Sequence, residues 1–164
     1  MLPRSMAIVF LFRCITLLVL IGIVFFTIME TYNDVLIKIS RIWTPDFVAL
    51  RHFGSDIQLN FKGSNSSESL YLNSFTLYFG MIFSFSVVLA AVGISIINRI
   101  FSLVLMFFMS LFLQVAGIVY VAHCLGNSRD PNWFAVGWVL FPTFIVAVWA
   151  YFFWFKKHQT NNGI

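Results

Sequence analysis

Charge is what this chain has least of. Asp, Glu, Lys and Arg make up 10% of its 164 residues, against the ~25% usual in a soluble domain. Histidine is as thin. His52, His123 and His158 fall far apart, so the sequence offers no clustered ligand set for a metal. The cysteines are Cys14 and Cys124, with no Cys-x-x-Cys, which excludes a disulfide framework. A Gly-rich phosphate loop, a nucleophile elbow and a paired-carboxylate site are all missing. The basic residues form no stripe, which argues against a nucleic-acid partner. Together these absences predict a protein that is not an enzyme, with no cofactor, no metal and no small-molecule substrate.

What is abundant is apolar surface, at 60% of residues. It is gathered into four runs, 14–29, 74–97, 100–122 and 133–155. A helix needs ~20 apolar residues to cross a bilayer. The last three runs meet that outright, and the first meets it when Ala7–Phe12 are added, giving 7–29. Backbone groups in lipid must be satisfied within the chain, so each run is predicted to be a helix. The expected fold is all-α: a single-domain, four-transmembrane-helix bundle over 1–164, with one longer outer loop, 30–73, between spans 1 and 2. Arg13 sits near one end of its span, where it can snorkel, and His123 is terminal; no Asp, Glu, Lys, Arg or His lies in the interior of any span. Such groups mark proton relays and coupled transport, so their absence argues against a pump.

The short flanks set the orientation. Arg4, Arg13, Arg99, Lys156 and Lys157 sit there with no acids among them. The acids are Glu30, Asp34, Asp46, Asp56 and Glu68 in the first loop and Asp130 in the third. The positive-inside bias then predicts a multi-pass protein with cytoplasmic N- and C-termini. The segment Phe25–Glu30 reads F-F-T-I-M-E, without a small-x-small cleavage site, so the first run is expected to stay as a span. Cys14 and Cys124 then lie at opposite membrane faces and should not pair.

Finer features follow along the chain. Glu30–Asp34 marks the expected exit of span 1. Thr44-Pro45-Asp46 reads as a helix start, with Phe47, Leu50 and Phe53 sharing one face of a short helix on the outer surface. Ile57, Leu59 and Phe61 alternate with polar residues, the pattern of a brief strand. Asn65-Ser66-Ser67 is a sequon in the predicted outer loop, which makes Asn65 a candidate glycosylation site. In span 2, Gly80, Ser84, Ala91 and Ser95 follow the small-xxx-small logic of close helix packing. Asn98-Arg99 is the expected inner turn. Gln114 in span 3 is expected to hydrogen-bond a neighbouring helix. Pro142 is expected to kink span 4, which opens at Trp133 and closes at Trp154.

These segments resemble the transmembrane protein 107 family. Arg13-Cys14-Ile15-Thr16-Leu17-Leu18 is similar to that family's Arg-led first span, and Thr44-Pro45-Asp46 to a Thr-Pro-acid step in its first loop. Leu89–Leu103 resembles its Leu-to-Gly-Val-Ser, Asn and Ser-Leu stretch at the second turn. Asn132-Trp133-Phe134, Phe141-Pro142 and the tail Lys156-Lys157 resemble its last span and flank. The chain departs from the pattern in having no acid in span 2, Val146 after the proline and a longer first loop. The resemblance implies a scaffold of the ciliary transition zone. Its partners would be other transition-zone membrane proteins and membrane lipid, and it would support a diffusion barrier and cilium assembly. A different reading is a claudin-like or other four-span adhesion or lipid-binding protein. The first loop, however, has one Trp and no Cys where claudins resemble W-x-x-W-Cys-Cys.

Overall fold

The first apolar run does not stop where its polar flank begins. In the computed structural model, which describes residues 4–61, 69–126, 146, 148 and 149, helix α1 runs unbroken from Arg4 to Ser40. Its 37 residues at ~1.5 Å each give ~55 Å, nearly twice the ~30 Å hydrocarbon core of a bilayer. The exposed face changes character part-way along. Ile8, Phe12, Ile15, Val19, Ile23 and Phe26 are exposed, and one turn later the exposed residues are Glu30, Thr31, Asp34 and Lys38, with Val35 the one apolar residue among them. The polar segment is therefore one face of a continuing helix, not an exit from it. Nothing in 30–40 breaks a helix, and Tyr32, Leu36 and Ser40 fall at helical spacing on a buried face. The helix ends where Thr44 donates both its backbone N–H (3.0 Å) and its hydroxyl (2.8 Å) to the Ser40 carbonyl.

The outer loop corrects the all-α expectation. Thr44-Pro45-Asp46 opens a strand, not a helix. Strands β1 (Val48–Phe53), β2 (Asp56–Phe61) and β3 (Ser69–Leu72) form an antiparallel sheet in the order β1-β2-β3. Leu50 pairs with Leu59, and Ile57 with Leu72. Phe53 pairs with Asp56, leaving a two-residue turn at Gly54-Ser55. Gly54 has φ +58°, a conformation that costs a glycine little and that two-residue hairpins require. Burial decides between strand and helix. The period-2 set Val48, Leu50, Ile57, Leu59 and Leu72 is buried, whereas Phe47 and Phe53 of the expected helical face are exposed. The strand expected around 57–61 is present as β2.

Helix α2 (Ser74–Ala90) has 17 residues, or ~25 Å, so it stops well short of the expected 97. The chain turns over 91–95, where Gly93 has φ +83°, rather than at Asn98-Arg99. Those two residues lie in the first turns of α3 (Ile96–Gly126). Ser95 caps α3, its hydroxyl accepting the Asn98 N–H at 3.4 Å. Arg99 reaches back and donates Nη2 to the Ala91 carbonyl at 2.6 Å, placing a cation at the C-terminal end of α2. Replacing Arg99 by Met should destabilise the protein by about 1–2 kcal/mol, measured by thermal unfolding in detergent. The effect stays modest because the Arg99 Nε is itself buried without a hydrogen bond, and the substitution relieves that cost.

Among the described residues, two helices, α1 and α3, are long and apolar enough to cross a membrane; the expected four are not seen. The expected fourth span lies outside the described residues apart from Val146, Val148 and Trp149, which are helical. Among the described residues two apolar cores form. The first lies under the sheet, where Leu36 and Ile37 of α1 meet Leu50, Ile57 and Leu59, with Tyr78 of α2 and Ile118 of α3. The second lies near the α2–α3 turn and joins Cys14, Val88, Ala91, Met106 and Trp149. There the Trp149 indole donates to the Ser102 hydroxyl at 2.8 Å. Cys14 and Cys124 are both buried free thiols.

Candidate functional site

The three helices and the sheet converge at the level where α1 turns from apolar to polar. Four residues at i, i+4, i+7 and i+11, namely Phe25, Met29, Tyr32 and Leu36, lay one buried stripe along α1 there. The rings of Phe25, Tyr32 and Tyr78 meet mutually, with centroids 5.4, 5.2 and 5.3 Å apart. Phe107 of α3 adds an edge contact to Tyr32 at 6.4 Å. Aromatic pairs of this kind contribute ~0.5–1.5 kcal/mol each beyond their burial. The Tyr32 hydroxyl then donates to Gln114 Oε1 at 2.7 Å, a buried hydrogen bond from α1 to α3. All three helices are thereby tied at one height.

One residue along, Asn33 is fully buried and fixes the hairpin above the helix. Its Nδ2 donates to the Ser55 carbonyl at 2.9 Å and lies 3.1 Å from His52 Nε2. The imidazole accepts there in the tautomer that carries its proton on Nδ1. A single amide thus holds both Ser55 of the turn and His52 of the strand that leads into it. Arg41 secures the other side of the sheet, donating Nη2 to the Leu50 carbonyl at 3.3 Å.

Beside this junction, between α1 and α2, opens a cleft of about 320 Å³. Its walls are Gly22, Phe25 and Met29 of α1 with Tyr78 and Ile82 of α2, and Phe26 stands at its rim. Its upper end is polar, formed by Ser55, Asp56 and Asn73. The Ser55 hydroxyl donates to Asp56 Oδ1 at 3.3 Å. Gly22 is the one wall residue without a side chain, and a Cβ added there meets no atom within 4 Å. The arrangement suits an elongated apolar body with a small polar head. No cluster of three or more His, Cys, Asp or Glu residues suited to a metal occurs among the described residues.

The residues singled out by spacing fall in several places. Ser84 is buried and its hydroxyl donates to the Gly80 carbonyl at 2.6 Å. Ala91 is buried in the second core. Ser95 is exposed and caps α3, so Ala91 and Ser95 lie past the end of α2 and do not extend a face from Gly80 and Ser84. Gln114 is buried at the three-helix junction. Asn65 and Pro142 lie outside the described residues. Spacing missed Tyr32, Asn33 and Gly22. The stripe Phe25-Met29-Tyr32-Leu36 was legible at helical period; the polar residues between its members masked it. No family model, curated protein or solved structure matches the chain.

Proposed function

We propose that this chain is a non-enzymatic membrane scaffold that acts through lateral contacts with other membrane proteins. The observation that carries the reading is the exposure of α1. Only 6% of its most apolar stretch is buried within the molecule, although its exposed face is Ile, Val, Leu and Phe. A core helix of a soluble protein would be covered. This one leaves its apolar surface for lipid or for neighbouring helices. The residues that α1 sends beyond the apolar zone, Leu36 and Ile37 among them, pack under the sheet, so its polar end belongs to the fold. The sheet side, with Ile42, Trp43, Phe47 and Phe53 exposed, is the surface offered to partners at the membrane–water boundary.

The resemblance to the transmembrane protein 107 family directs the reading to the ciliary transition zone. There the chain would join other transition-zone membrane proteins and support the diffusion barrier and cilium assembly, with both termini in the cytoplasm. The experiment is to image a C-terminally tagged copy in ciliated cells beside basal-body and axoneme markers. A discrete band between the markers is expected. A reticular or whole-surface distribution removes the ciliary role and leaves a membrane protein acting elsewhere.

A further inference from the structure

We propose that the cleft between α1 and α2 is a binding site for one membrane sterol, with its hydroxyl at the Asp56 end. The inference rests on α1 spanning the membrane but not on the ciliary role. Depth is the first argument. The cleft is walled by Gly22–Met29, the last two turns of α1 before Glu30 begins the polar exposed face. Its polar end is made by the hairpin turn and by Asn73, which precedes α2. An occupant therefore has its body in the hydrocarbon zone and its head at the boundary.

Shape is the second argument. At about 320 Å³, the cleft is at the small end of ligand sites, room for one rigid body and not for two acyl chains. Gly22 leaves a flat strip on α1, and the rings of Phe25 and Tyr78 line the wall beside it. Sterol rings match such a surface without the ordering cost of a flexible tail.

Charge is the third argument. A phospholipid of this depth would set its phosphate against the Asp56 carboxylate, and like charges there oppose binding. A neutral hydroxyl is a donor that Asp56 accepts, and Asn73 and Ser55 bring further hydrogen-bonding groups to the same end.

The test uses the full chain in membranes, treated with a photoactivatable sterol and, in parallel, a photoactivatable phosphatidylcholine. Sterol labelling that maps to the Phe25–Met29 and Tyr78–Ile82 segments, and that excess unlabelled sterol suppresses, is expected. Gly22→Phe should abolish it. The added ring enters open space, so thermal stability in detergent should be retained. Val19→Phe, on the exposed face of the same helix, should leave labelling unchanged. Asp56→Leu should weaken labelling without moving its position. Equal labelling of wild type and Gly22→Phe, labelling by the phospholipid probe alone, or no labelling of membrane-integrated protein would each overturn the proposal. Recovery of the untreated protein in the alkaline-soluble fraction would instead overturn the membrane reading itself.

Discussion

Arginine at both Val19 and Ile23 is expected to prevent membrane integration of α1. Both side chains are more than half exposed, at 54% and 60%. On the surface of a soluble protein each change would fall within about ±0.5 kcal/mol, and the added charge would favour solubility. In the middle of a spanning helix, each arginine costs about 2.5–3.5 kcal/mol of insertion free energy. Two side chains four residues apart share a face, so both cannot leave the hydrocarbon by one rotation of the helix. The combined penalty of about 5–7 kcal/mol, from the same scale, exceeds what snorkelling near the helix centre recovers. The measurement is the alkaline-resistant fraction after synthesis into microsomes. Thr31→Arg serves as the matched control. It is also exposed on α1, but it lies past the apolar zone and should integrate as wild type does. Undiminished integration of the double variant would sink the spanning assignment for α1.

The contrast between Val19 and Thr31 also separates what the sequence discloses from what it hides. Apolar runs announce α1 and α3, the two described helices long and apolar enough to cross a membrane, because their apolar character runs along the whole stretch and not along one face. The same signal overstates α2. Val92 and Ile94 are as apolar as the helices on either side, yet the chain turns there, and Gly93 with its positive φ marks the change. The continuation of α1 is hidden for the opposite reason. Glu30, Thr31, Asp34 and Lys38 are polar because they face water, and they alternate with residues buried under a sheet of which the sequence pattern announces only the strand at 57–61. The sheet itself was obscured by a local helix-start signal at Thr44-Pro45-Asp46, which lost to pairing of Leu50 with Leu59 and burial of both against α1. The candidate cleft depends on these misread elements, since α1 supplies one wall, α2 the other and the hairpin the polar end. Gln114 was visible as a lone polar residue in an apolar run. Its partner Tyr32 was not, because it sits in the segment that reads as the start of a loop.

Leu36→Ala probes that hidden segment directly. Leu36 is fully buried in the core formed by α1, the sheet and the other two helices. Truncation removes its apolar burial and leaves a cavity that surrounding strands and rings fill only in part, a loss of about 2–5 kcal/mol. For a chain of this size that corresponds to a fall in Tm of about 4–20 °C. Val35→Ala removes comparable apolar mass one residue earlier, but Val35 is 42% exposed and points away from the sheet, so its effect should be near 0.5 kcal/mol. The pair reads the phase of the helix. If 30–40 were the outer loop that its polar residues suggest, the two substitutions would cost about the same, because neither side chain would have a fixed place in a core. A second readout locates the damage. Limited proteolysis should cut the 48–61 hairpin faster in Leu36→Ala than in Val35→Ala, since the hairpin rests on Leu36 through Leu50, Ile57 and Leu59 and loses protection as local opening becomes cheaper. A large loss of stability in Leu36→Ala with faster hairpin cleavage, set against a near-wild-type Val35→Ala, is the result that follows from α1 running through to Ser40 beneath the sheet.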